Sequence, residues 1–157
     1  MKTRKILLDV EEENEELNLG LIRLVKAFPE HELFFQLNAL NPFKFSRISD
    51  VIFHGQYYDS HYSRFQTYLP DSKICLQCIS NKPFQTLMQI TPPELFSGEE
   101  EIKFLLDNFQ DVDYLLKTSE PFDDFSLILH PENMMFPIQI FPLSPKEELY
   151  QVIQYYD

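Results

Sequence analysis

Residues 105–117, LLDNFQDVDYLLK, constrain the fold more than any other stretch of the chain. Leu105, Leu106 and Phe109 share a helical face, and a strand-like segment carrying Asp113 between Val112 and Tyr114 follows at once. Such an abrupt change of period places a helix directly beside a strand, so the chain must mix both elements around one core.

The remaining periodicity extends this reading. Leu17, Leu19 and Leu21 alternate with Asn18 and Gly20, which favours a strand, although Leu21, Leu24 and Val25 also fit a helix. Pro29 opens a helix over 30–41 whose stripe is Leu33, Phe34, Leu37 and Leu40, and Asn41 and Pro42 stop it. Alternation through Phe45 and Ile48 marks a strand within 43–53. Segments 62–69 and 73–80 flank Pro70, Asp71 and Ser72 as in a β-hairpin. Pro92 and Pro93 break the chain, and Ser97 with Glu100 has capping-box spacing before the helix that ends at Phe109. A strand over 112–118, a short helix opened by Pro121 and a strand over 136–141 follow. Ser144, Pro145 and Glu147 then start a terminal helix through Leu149, Val152 and Ile153. The expected product is a single α+β domain over 1–157, with residues 1–16 a flexible acidic N-terminus. Its antiparallel-rich sheet comes from 43–81 and 112–118, its helices pack mainly on one face, and Leu33, Phe34, Leu37, Leu105, Leu106 and Phe109 are buried.

With 157 residues, 44% of them apolar, the chain can bury a core without disulfides or a structural metal. Thirteen basic against 25 acidic side chains give a net charge of −12, which repels phosphate backbones and anionic headgroups. Nucleic acid and membrane are therefore poor partners, whereas a basic protein is a compatible one. Lys2, Arg4 and Lys5 precede Ile6, Leu7 and Leu8, but Asp9 and an acidic run interrupt any signal-peptide core. Together with two cysteines and no secretory context, this predicts a cytoplasmic protein with reduced thiols.

Catalytic patterns are sparse. Cys75 and Cys78 form a Cys-x-x-Cys pair, yet an offset of three on a strand directs the thiols to opposite faces, and no second ligand pair follows for zinc. His31, His54, His61 and His130 lack the spacing of a helical metal motif. His54, Asp59 and His61, with Tyr57, Tyr58 and Tyr62, are the nearest approach to a cluster, and an exposed aromatic loop explains them as well. Asp111 with Asp113 and Asp123 with Asp124 are carboxylate pairs in a chain too acidic for proximity to mean much. With glycine only at 20, 55 and 98, a phosphate-cradling loop and a nucleophile elbow are both excluded.

Val112, Asp113 and Tyr114 resemble the tail of the signature of the IPExxxVDY family, small bacterial proteins of uncharacterised function. HELFFQLNAL at 31–40, CISNKPF at 78–84 and KILLDVEEE near the start resemble family segments in the same order. Where the signature has Ile-Pro-Glu, this chain has Leu106, Asp107 and Asn108, so the resemblance is to a divergent member. It implies no cofactor, no metal and no transferable site. The leading expectation is a non-enzymatic interaction or regulatory domain. One alternative is an acidic inhibitor or immunity-type protein that occupies a basic partner. Another is a ligand binder or enzyme using the Tyr57–Tyr62 region, for which Asp113, Tyr114, His54, Tyr58 and His61 are the candidate residues. No residue is singled out as catalytic, and oligomeric state is left open.

Overall fold

The computed structural model describes residues 17–88, 102–120 and 124–155. Among these, seven strands form one antiparallel sheet: β1 Leu17–Ile22, β2 Ser46–His54, β3 Tyr58–Tyr68, β4 Cys75–Ser80, β5 Gln85–Met88, β6 Tyr114–Thr118 and β7 Gln139–Leu143. Helices α1 Glu30–Leu40 and α2 Glu148–Tyr155 and a 3-10 turn at Phe125–Leu127 complete an α+β arrangement. The strand order is β2-β3-β4-β6-β1-β7. Long β3 serves two neighbours on one edge, β4 through Arg64 to Tyr68 and β5 through Tyr58 to His61. At the β3–β4 turn the Leu69 N–H donates to the Ile74 carbonyl at 2.9 Å, and Asp71 adopts a φ of 57°, a left-handed conformation that aspartate tolerates better than most residues. No helix among the described residues is long and apolar enough to cross a membrane.

Strand alternation sends side chains to two covered faces. On one, Leu33, Phe34 and Leu37 of α1 pack with Phe65, Leu76, Cys78, Tyr114 and Leu116. Phe34 stacks on Phe65 at 3.8 Å between centroids and meets Phe45 and Tyr114 edge-on, so aromatic area dominates this layer. Gly20 lies beneath it, where a Cβ would come within 2.8 Å of Ile138 and 3.3 Å of Phe125. On the other face, Leu149 and Ile153 of α2 pack with Leu19, Leu21, Tyr62, Ile79 and Leu115. The expectation that the helices share one face is thus corrected. Leu115 and Leu116 are both buried and point opposite ways, so the sheet needs a cover on each side.

Other corrections have local causes. Of the helix expected up to Phe109, residues 97–101 lie outside the described residues, and 102–109 form an irregular segment with a bend at 105–106 and a turn at 107–108 instead. The N–H groups of Leu105 and Leu106 donate to the Asn81 carbonyl and Oδ1, at 2.9 and 2.7 Å, and so cannot serve a helical ladder. Leu105 and Leu106 are buried as expected, and Phe109 is half-buried. Ser144 does not cap α2: its Oγ accepts from the Lys146 N–H at 3.3 Å in a tight turn, and the helix starts at Glu148. The strand expected over 136–141 is displaced to β7, an edge strand that accommodates Pro142. Pro121 lies outside the described residues, and Asp124 caps the 3-10 turn instead.

Asn81, fully buried just after β4, ties these parts together. Its Nδ2 donates to the carbonyls of Phe109 and Val112 at 3.0 and 2.9 Å. Its Oδ1 accepts from Leu106, its carbonyl from Leu105, and its own N–H donates to the Asp113 carbonyl at 3.0 Å. Tyr62 supports the same loop by donating its hydroxyl to the Lys103 carbonyl at 2.6 Å, and burial pushes that phenol up to about 12. Asn81→Ala removes three side-chain bonds and strands buried backbone groups, so it should lower the unfolding free energy by about 2–4 kcal/mol. Urea denaturation measures this, and a loss under roughly 1 kcal/mol would mean that the loop is held by apolar packing alone.

Candidate functional site

The α2 face turns polar toward one end of the sheet. Gln66 of β3, Gln77 of β4 and Lys117 of β6 stand side by side in register, and Tyr68 and Cys75 form the next row. Arg64, two residues before Gln66 on β3, reaches the same place. These side chains, with Thr118 and Ser119, line a cleft of about 390 Å³.

Arg64, Gln77 and Lys117 are buried, at 6%, 8% and 3% exposure. The extra residue of a bulge between Ile48 and Val51 gives β2 a Ser49 that faces Arg64. Arg64 Nε donates to the Ser49 carbonyl at 2.9 Å and Nη2 to the Ser49 hydroxyl at 2.8 Å, while Nη1 is turned to Gln77 Oε1 at 3.4 Å. Lys117 Nζ donates to the Ile153 carbonyl at 3.2 Å, which satisfies a carbonyl in the last turn of α2 and gives that helix end a cation. Lys117 therefore has a structural task whatever else it does. Two cations taken out of water are expensive to hold, and among the described residues no carboxylate lines the cleft. Such a place can bind and orient a polar molecule. Among the described residues its lining contains no histidine or carboxylic acid.

The residues singled out from sequence occupy other places. Asp113 lies between β1 and β6: its Oδ2 accepts from the Leu24 N–H at 2.7 Å, its own N–H donates to the Ile22 carbonyl at 2.8 Å, and its carbonyl accepts from Asn81. Burial raises its carboxyl, the Leu24 N–H opposes the shift, and nearby Asp111 adds to it. Tyr114 faces the α1 layer and donates to Glu30 Oε2 at 3.1 Å, an oxygen that also accepts from the Ser63 hydroxyl. Burial and the Glu30 charge push the Tyr114 phenol well above its ordinary value. His54 Nδ1 meets Asp59 Oδ1 at 2.9 Å, and His61 Nδ1 lies 3.5 Å from Asp50, which pairs with Arg47 at 2.6 Å. Tyr58 alternates with these on β3 and points to the opposite face from Asp59 and His61. The structure thus joins His54 to Asp59 and divides Tyr58 from His61. Among the described residues no three His, Cys, Asp or Glu side chains are grouped to hold a metal ion.

Arg64 and Lys117 were not singled out by sequence reading. The available signal was a cation within each segment read as a strand, YSRFQ and YLLKT, in a chain with an acidic excess. Cys75 and Cys78 do lie on opposite faces of β4: Cys75 lines the cleft half-exposed, and Cys78 is buried in the α1 layer.

Three outcomes follow from these environments. Asp113→Ala leaves the Leu24 N–H without its acceptor and should cost about 1–3 kcal/mol in urea denaturation. Because the folded carboxyl is raised, the native state holds its proton in a pH window just above the ordinary aspartate range, where the unfolded chain has lost it. The contribution of Asp113 to stability is thus largest below that window and falls as pH rises through it. Asp113→Asn should flatten the profile there, and an unchanged profile would assign the slope to other groups. Burial also drives the Cys78 thiol far above its ordinary value. A disulfide reagent should therefore titrate Cys75 in the native protein and Cys78 only after denaturation. Two equally fast native thiols would contradict the burial of β4.

Comparison of the chain with protein-family models, with curated proteins and with solved structures found no match.

Proposed function

We propose that this chain is a non-enzymatic cytoplasmic regulatory or interaction domain that responds to a small polar ligand held in the cleft between β3, β4 and β6. The observation that supports this reading is the convergence of buried Arg64, Gln77 and Lys117 on one cleft of about 390 Å³. That volume falls at the small end of the range of ligand sites, roughly 300–1,000 Å³. Strands position such groups more rigidly than loops do, and rigid polar groups favour binding by reducing the entropy lost on association. The resemblance around Val112, Asp113 and Tyr114 supports a non-enzymatic role because it brings no catalytic site with it. The reading of Asp113 as a structural residue agrees, since its carboxylate, N–H and carbonyl all bond backbone groups of neighbouring segments.

The net charge of −12 favours a second reading, an acidic inhibitor that engages a basic protein. A tagged chain that retains one protein at low salt and releases it at high salt supports that alternative. For the cleft, the test is thermal melting of the purified protein against a panel of sugars, amino acids, nucleosides, phosphates and carboxylates. A ligand present at a hundredfold excess over its Kd adds about 2.7 kcal/mol, a rise in Tm of roughly 5–10 °C for a domain of this size. Gln77→Leu should remove the rise. A panel without one saturable shift would reject the cleft as a ligand site.

A further inference from the structure

We infer that a second surface, the groove between α2 and the segment 102–109, holds a lysine side chain of a basic partner protein. This rests on the reading of the chain as an acidic partner of a basic protein and is independent of the β3–β4–β6 cleft. The groove measures about 240 Å³. Its floor is apolar: Leu106 and Phe109 come from the segment held by Asn81, Leu149 and Val152 from α2, and Phe53 and Phe141 from β2 and β7, the strands at the two ends of the sheet order. Leu106 and Leu149 are buried, and the other four are half-buried. Asp107, Glu147 and Glu148 stand exposed at the rim.

The chain itself places a cation in this groove. Lys103 lines it, with Nζ 4.3 Å from the centre of the Phe53 ring and 3.9 Å from Glu148 Oε2. An aromatic face and a carboxylate thus already hold one ammonium there. Phe109 and Phe141, whose rings meet edge-on at 5.0 Å, provide aromatic surface of the same kind in the same groove. Three carboxylates against that single ammonium keep the lining negative, so a second cation is attracted and an anion is repelled. A lysine matches both parts of the groove, because its methylene stem covers apolar surface while its head stays at the wet rim beside the carboxylates. The volume lies below the roughly 300–1,000 Å³ of small-molecule sites and suits one side chain. The charge of −12 on the whole chain steers a basic protein toward it.

The test is titration of the isotope-labelled full chain with hexalysine at low ionic strength, followed through its backbone amide resonances. Saturable binding is expected, with the shifts concentrated at 103–109, Phe141 and 147–152. Asp107→Lys combined with Glu147→Lys should weaken that binding about tenfold or more. Glu32→Lys combined with Glu132→Lys changes the total charge equally, but on segments of the α1 layer, and should weaken it about twofold at most. All four positions are exposed, so both double variants should still melt cooperatively. Binding that survives the Asp107 and Glu147 pair, that both pairs weaken equally, or whose shifts fall elsewhere overturns the groove and leaves standing a chain that engages basic proteins by its overall charge. Absence of saturable binding overturns the groove and that reading together.

Discussion

The Asn81 carboxamide meets the loop over 105–113 where β4 ends, and the two faces of the sheet depend on that meeting. Buried backbone groups must be paired, and an irregular loop cannot pair its own. A helix at 102–109 would have used those donors internally. With Asn81 taking the N–H groups of Leu105 and Leu106 and donating to the carbonyls of Phe109 and Val112, the loop stays irregular at low cost. Its side chains Leu105, Leu106 and Val112 then join the α2 layer, and Asp113 arrives at the start of β6 facing Leu24. One amide thereby sets the register of the central strands β4, β6 and β1.

Other asparagines repeat the device on the α1 side. Asn38 exchanges two hydrogen bonds with the backbone of Phe45, at 2.7 and 3.1 Å, so that the helix holds the strand entry that follows it. Asn41 donates to the Leu37 and Leu129 carbonyls and accepts from the Leu129 N–H, which fixes the segment before Met134 and Met135 against the end of α1. Three glycines and 11 prolines restrict the turns this chain can make. Short carboxamides that bond backbone at a distance let tight but irregular connections stay buried. The aromatic stack of Phe34, Phe45, Phe65 and Tyr114 fills the space those connections enclose.

The cleft is an electrostatic exception in an acidic molecule. Its cations lie on strands whose neighbouring positions, Ile79 and Leu115, are part of the apolar α2 layer. Burying a charge so close to a core is costly unless it has a task. For Lys117 part of that task is the Ile153 carbonyl of α2, and for Arg64 it is the bulge at Ser49. With these anchors both residues line the cleft, and the Arg64 head lies beside Gln77. Structural support of the bulge and of the helix end and the arrangement of the cleft lining are therefore built from one set of bonds.

Periodicity and punctuation alone determined the helix read over 30–41 and found at 30–40, the β3–β4 hairpin and the core residues Leu33, Phe34, Leu37, Leu105 and Leu106. They favoured, with a helix left open, the strand found at 17–22, because all of these follow from which neighbours along the chain are apolar. The opposite-facing cysteines were legible for the same reason. Tertiary structure decided the rest. Whether Leu105 and Leu106 join a helix depends on an asparagine 25 residues away, and whether Ser144 caps a helix or a turn depends on where α2 docks. The two-sided cover of the sheet arises because Leu115 and Leu116 both need burial, which alternation on one strand can meet only with a layer on each face. The cleft was hidden for the same cause: Arg64 and Lys117 are 53 positions apart in the chain, and only strand pairing through β4 brings their charges to one place.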